Sequence, residues 1–293
     1  MPDASPVDPY TRTEHSGTLL VAEMDRAGVD LALVVGYDGY DFETFMRRLG
    51  SSPADFMGGR GYAREWVRRY PERLYYITTL YHPTRDPGYE LLNAELAAGA
   101  VGIKIFPAYL DLLADSSEIR SVFDMARGRE IGIVFGLEDS GNQSPALIRQ
   151  LEGIARLVED YPEIPLQLNH GANVWVGTPE WNELVALVTR ASNVLVSTSV
   201  LGGTEMVWSD GWLYPFPEYR SRLREFVASV PEGQIAWATD WPWFESVAKY
   251  PQLLQAVVDD KKMFRSPDAR EMFLGRNALR HWRLNVPSHT HST

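Results

Sequence analysis

Short, near-continuous apolar runs recur along the chain at Asp30–Gly36, Leu74–Leu80, Val101–Phe106, Ile131–Leu137, Pro165–Asn169, Asn193–Ser199 and Gln234–Ala238. A strand covered on both faces needs such runs, because neither of its side-chain rows meets water. Between them lie segments with helical spacing: Gly61–Tyr70, Tyr89–Ala98, Ser117–Arg127, Pro145–Tyr161, Pro179–Ala191 and Pro217–Ser229. Many have Pro or Ser near the start, as helix N-termini prefer. One more helical stretch, Ser16–Ala27, precedes the first run, and two, Val247–Asp259 and Pro267–Trp282, follow the last. Alternation of this kind predicts parallel βαβ units with helices outside. The units are not similar to one another, which excludes a solenoid.

Seven strands fit either a doubly wound sheet or a barrel. No G-x-G-x-x-G or G-x-x-x-x-G-K-[ST] follows any run, so the doubly wound reading lacks its phosphate loop. Polar residues do gather at the C-terminal ends of the runs: His82, Lys104, Glu138, His170, Ser199 and Asp240. Barrel chemistry collects there. The expected fold is therefore α/β, a (β/α)8 TIM-barrel-like domain over 1–284 with its first strand short or missing. A Ser/His/Thr-rich tail, 285–293, follows, and its His289 and His291 read as tail rather than ligands. Two long inserts, Tyr37–Arg60 and Leu201–Phe216, leave strand ends and should overhang the barrel mouth.

Composition narrows the function class. The chain has 293 residues and Cys 0, which removes disulfides, thiolate metal sites and cysteine nucleophiles. Its 28 basic residues against 39 acidic ones leave a net charge of -11 and no basic run to track a phosphate backbone. Nucleic acid is excluded as a partner. No apolar stretch reaches the length of a membrane span, and Met1–Tyr10 is polar and Pro-broken rather than a signal peptide. These features suit a cytoplasmic protein.

Four landmarks then stand in order: Glu23-Met-Asp-Arg-Ala-Gly-Val-Asp30, Gly99-Ala-Val-Gly-Ile-Lys-Ile-Phe-Pro107, Leu168-Asn-His-Gly171 and Trp237-Ala-Thr-Asp-Trp-Pro242. With Tyr214-Pro-Phe-Pro217 and the closing Phe273-Leu-Gly-Arg-Asn-Ala-Leu-Arg-His-Trp282, the set resembles the amidohydrolase-related (amidohydrolase 2) family over roughly residues 19 to 284. The resemblance implies a metal-dependent barrel hydrolase or decarboxylase. It further implies a first-strand His-x-His and histidines after the fifth and sixth strands, completed by an aspartate after the eighth. Only His170 and Asp240 match that pattern here. No His-x-His precedes Ser16, and the fifth-strand place falls in Val134-Phe-Gly-Leu-Glu138.

The catalytic set expected from these positions is Asp240, His170 and Lys104. Asp240, set among Trp237, Trp241 and Trp243, suits a base; His170 suits proton transfer; Lys104, in an apolar strand, must pair or reach a substrate oxygen. Trp241, Trp212 and Trp175 are expected to wall the pocket together with Trp208 and Trp243. Glu138 and His82 stand by as polar contacts or substitute ligands. Two matched ligands hold a metal poorly, so the expectation is catalysis by side chains without a cofactor. A divalent ion such as zinc on His170 and Asp240 is the alternative.

The expected function is hydrolysis of a lactone, ester or amide in a small aromatic or acidic molecule. Decarboxylation, or a biosynthetic cyclisation or dehydration, is the alternative on the same barrel. A non-catalytic ligand-binding barrel is the alternative from another class. Either is compatible with a homo-oligomer.

Overall fold

The computed structural model describes residues 16–43, 47, 50, 52, 59–137, 145–199, 214–242 and 248–285. Seven parallel strands form one sheet: β1 (Ala32–Gly36), β2 (Leu74–Thr79), β3 (Gly102–Ile105), β4 (Gly132–Phe135), β5 (Leu166–Leu168), β6 (Val194–Ser197) and β7 (Ile235–Ala236). Their order in space is their order in the chain. No reversal of strand order occurs among the described strands, so the doubly wound alternative is set aside. A sheet of this order, twisting throughout and crossed by right-handed connections, curls with its helices outside. The result is a TIM-barrel-like α/β sheet curled as an incomplete barrel. The strands lie inside the predicted apolar runs, trimmed by one or two residues at most ends.

The helices are α1 (Gly17–Ala27), α2 (Gly59–Arg69), α3 (Glu90–Ala97), α4 (Ser117–Ala126), α5 (Pro145–Asp160), α6 (Pro179–Arg190), α7 (Pro217–Ser229), α8 (Tyr250–Val258), α9 (Pro267–Glu271) and α10 (Asn277–His281). Several begin where a hydroxyl can accept from the exposed N–H groups of the first turn. Ser16, Ser116, Thr178 and Ser266 accept from the backbone N–H of Leu19, Ile119, Trp181 and Ala269. Each such cap is worth about 1 kcal/mol. The single closing helix expected over Pro267–Trp282 is instead interrupted by a π turn at Met272–Arg276. There the Phe273 carbonyl accepts from Trp237 N at 2.9 Å, tying the helix to the end of β7.

Alternation decides which strand residues meet the helices. Ile103, Ile105, Ile133, Phe135, Leu166, Leu168, Val194 and Val196 join Ile119, Val122 and Phe123 of α4 in the main core. The intervening residues face the barrel interior. At its N-terminal end Ile77 and Val134 pack with Trp282, which follows α10. A Cβ on Gly102 or Gly132 would lie 2.6 or 2.5 Å from the Trp282 ring, so only glycine admits the indole between β3 and β4.

Among the described residues β1 and β7 are the sheet edges, and helices cover the seam between them. Leu20, Val21 and Met24 of α1 cluster with Leu74 and Tyr250, and Trp66, Trp237 and Trp241 pack against this cluster.

Candidate active site

Polar side chains reach the C-terminal strand ends from three directions. The first is β3. Its residues Ile103 and Ile105 belong to the helix-facing core and Gly102 lies against Trp282, so Lys104 faces the barrel interior. It is 6% exposed, and its Nζ sits 4.4 Å from the centre of the Phe106 ring. A cation over an aromatic face is stabilised by the ring quadrupole, more so away from water.

Phe106 belongs to an aromatic group at the mouth. Phe42 meets Phe106 at 5.1 Å and Tyr37 at 5.4 Å, while Tyr109 stacks on Phe106 at 5.1 Å. The sequence reading placed the insert that holds Tyr37 and Phe42 over the mouth, but named tryptophans as the pocket walls and did not single out Phe106 or Tyr109. The signal was present in their positions: Tyr37 directly follows β1 and Phe106 directly follows β3.

Beside Lys104 lies a buried ion pair that sequence reasoning also missed. Asp41 Oδ2 accepts from Arg60 Nη1 at 2.7 Å, with side-chain exposures of 0% and 4%. Asp41 Oδ1 accepts from His82 N at 3.0 Å and from Arg85 Nη1 at 2.8 Å. Arg60 Nη2 donates to Thr79 Oγ1 at 2.8 Å, and Thr79 is the register partner of Lys104. The guanidinium also lies 3.6 Å over the Tyr81 ring, whose hydroxyl is pushed up to about 12, chiefly by burial. A buried pair of this kind contributes little net stability while intact, yet losing one partner strands the other. Its effect is to pin the segment after β1 onto the end of β2.

The second direction is β5 and β6. After β5 the backbone makes a left-handed turn, with φ of 55°, 59°, 57° and 56° at His170, Gly171, Ala172 and Asn173. Left-handed backbone costs a residue with a Cβ roughly 1–2 kcal/mol, and such strain concentrates at working sites. The turn throws the His170 ring against Ser199, just beyond β6. Nδ1 lies 2.9 Å from Ser199 Oγ and 3.3 Å from Ser199 O, and both residues are buried. Ser199 thus occupies Nδ1. Below it, Asn169 Oδ1 accepts from Gln167 Nε2 at 2.8 Å and Ser197 Oγ at 3.2 Å.

The third direction is β7, which Asp240 follows by four residues. Asp240 too has left-handed backbone, φ 55°, and next to it the Trp241 N–H donates to Thr239 Oγ1 at 3.2 Å.

Lys104, His170 and Asp240 therefore all stand at the C-terminal ends of inward-curling strands. The other expected residues take different places. The Trp241 ring packs on the cluster that closes the α1–α8 seam. Trp175 packs against the main core with Arg222 of α7 4.0 Å over its ring. His82 forms a turn, its Nδ1 2.7 Å from Thr84 Oγ1. Trp212, Glu138, Trp208 and Trp243 lie outside the described residues. The groove lined by Arg156, Glu159, Glu183 and Arg190 is on the helical exterior between α5 and α6 and has no part in this site.

A family metal would need His170, Asp240 and further ligands. Catalytic zinc keeps three protein ligands. Among the described residues no group of three or more His, Asp or Glu could hold a metal ion. The described residues do not fit such a group, and no step below passes through one.

Solved structures share the architecture at low identity. A TIM-barrel protein of uncharacterised function from Bordetella bronchiseptica is 18% identical, with a TM-score of 0.66 over 92% of this chain and 83% of that one. A probable 2-pyrone-4,6-dicarboxylic acid hydrolase from Acinetobacter baumannii, with citric acid bound, is 14% identical with a TM-score of 0.66, covering 97% and 94%. A 5-carboxyvanillate decarboxylase from Novosphingobium aromaticivorans, with manganese bound, is 15% identical with a TM-score of 0.58, covering 91% and 80%. No protein of curated function matches the chain. Among the described residues no helix is long and apolar enough to cross a membrane. The amidohydrolase family model matches residues 20–284, so the chain belongs to the amidohydrolase 2 family.

Proposed function

We propose that the chain hydrolyses a lactone or ester of a small carboxylated, aromatic or pyrone-like acid, using side chains alone. The observation that carries this reading is the buried, inward-facing Lys104 beneath the Phe106 ring. A buried ammonium at a barrel mouth suits an oxygen that gains negative charge during reaction, and the surrounding rings suit a flat substrate.

In the proposed reaction Asp240 takes a proton from water as its oxygen attacks the carbonyl carbon. Lys104 holds the carbonyl oxygen as it becomes an oxyanion. His170 enters as the imidazolium, its Nδ1–H held by Ser199, and delivers the Nε2 proton to the departing oxygen as the C–O bond breaks, leaving a neutral imidazole. The proton on Asp240 then returns to His170 through solvent, and both groups are restored. The dicarboxylic lactone named for the Acinetobacter baumannii structure supplies a rational first substrate.

The test is an assay of 2-pyrone-4,6-dicarboxylate, following loss of the ring chromophore and release of carbon dioxide. Ring opening without gas release, abolished in both Asp240→Asn and Lys104→Met, supports hydrolysis. Stoichiometric carbon dioxide assigns the family's other reaction. Binding without either product by the wild type supports a non-catalytic barrel.

A further inference from the structure

A single donor at the closed end of the barrel fixes an amide at the open end. The Trp282 indole can donate a hydrogen bond but cannot accept one. Its Nε1 lies 2.9 Å from Gln167 Oε1, which settles which way the Gln167 amide faces. Gln167 Nε2 is then a donor, and at 2.8 Å it can only meet the carbonyl oxygen of Asn169. Ser197 Oγ, at 3.2 Å, donates to the same oxygen. Turning the Asn169 amide over would set NH2 against NH2 and lose the bond to Gln167. The Asn169 Nδ2 group, with two N–H donors, must therefore point away from this chain of bonds.

The direction it takes follows from the strand. Leu166 and Leu168 face the helix-side core, so Gln167 and Asn169 face the interior. Gln167 is the register partner of Val134, which is the register partner of Lys104. Asn169 stands one step nearer the mouth than Gln167 and is partly exposed, while its neighbours Leu168 and His170 are buried. Among the described residues no acceptor pairs with Nδ2.

We infer that Asn169 Nδ2 is a substrate-contacting donor, preset by Trp282 through Gln167, which binds a carbonyl or carboxylate oxygen of the ligand held by Lys104. The inference rests on the hydrolase reading above and adds to it a recognition group. It gives Trp282 a second role: besides filling the closed end, it positions a group at the open end without touching the ligand.

The experiment measures binding of 2-pyrone-4,6-dicarboxylate and of citrate by titration calorimetry. Asn169→Asp preserves the oxygen that Gln167 and Ser197 need but replaces the donor with an acceptor. Its affinity for both probes should fall about tenfold or more at pH 7.5, with the thermal midpoint close to that of the wild type. At pH 5 the introduced carboxyl begins to carry a proton and can donate, so the gap to the wild type should narrow. A purely structural role for Asn169 would not produce that recovery. Trp282→Phe keeps an aromatic ring in the plug, removes the donor, and should weaken binding several-fold by releasing the Gln167 amide. It also keeps the test alive should Asn169→Asp fail to fold. Wild-type affinity in Asn169→Asp, or in Trp282→Phe when the first variant does not fold, overturns the inference and leaves the hydrolase reading standing. Failure of the wild type to bind either probe overturns the carboxylate-ligand reading itself, and this inference with it.

Discussion

The two ends of the barrel are built on opposite principles. At the N-terminal end Trp282, Ile77 and Val134 pack together over two glycines, and the polar Gln167 meets them through the indole N–H. At the C-terminal end Thr79, Lys104, Asn169, Ser197, His170 and Ser199 face inward or upward, and most of them hydrogen-bond across strands. One end holds the curled sheet together; the other spends backbone strain and buried charge on orientation. The division matches the general rule for barrels, in which chemistry sits at the strand C-termini and stability at the opposite face. The Trp282–Gln167–Asn169 chain is where the two ends meet.

The comparison predicts that substitutions will separate cleanly by end. Trp282→Ala should cost about 3–5 kcal/mol of stability, because the glycines beneath the ring cannot refill the space; chemical denaturation measures it. Asp240→Asn, at the other end, should lower kcat by about 10²–10³-fold on any substrate the wild type turns over, with an unchanged denaturation midpoint. Equal loss of stability in the second variant would mean that Asp240 belongs to the scaffold.

A pH titration sharpens the contrast at the closed end. His281 of α10 sits edge-on to Trp282, and burial, helped by Arg280 and Arg283, lowers its pKa from the usual 6.5 to about 4. Above pH 6.5 the ring is neutral in both folded and unfolded chains, and its contribution is fully present. As pH falls from 6.5 to 4 the unfolded chain takes up a proton that the folded one refuses, so stability is lost across that window. About 2 kcal/mol is expected once partial exposure is allowed for. Denaturation of His281→Leu at pH 7 and pH 4.5 should show a flatter dependence than the wild type. The smallest effect belongs to Ser199→Ala, which frees the His170 ring to rotate. It should lower kcat about tenfold, near 1.4 kcal/mol, and leave KM nearly unchanged.

Much of this arrangement was legible in the sequence because it is local. Seven strands announce themselves as apolar runs, and Lys104 is placed inward by Gly-Ile-Lys-Ile, where both flanking isoleucines want the helix side. His170 and Asp240 are placed by standing two and four residues beyond their strands. What stayed hidden depends on pairs far apart in the chain. Arg60 and Asp41 are drawn together across an insert, and Trp282 reaches Gln167 only because the closing helix folds under the barrel. The aromatic wall was legible only in part for a related reason. Tryptophans near strand ends read as pocket walls, but Trp241 serves the seam that α1 and α8 cover. Among the described residues Tyr37, Phe42, Phe106 and Tyr109 gather at the mouth. Ring size alone does not tell which side of a strand end a side chain will take.

The most direct test of the account is a crystal structure of Asp240→Asn with 2-pyrone-4,6-dicarboxylate bound. The account predicts the lactone under Phe106, its carbonyl oxygen within hydrogen-bond reach of Lys104 Nζ and its ring oxygen facing His170 Nε2. A ligand seated elsewhere, or Lys104 turned away from it, would contradict the assignment of the polar end of the barrel as the active site.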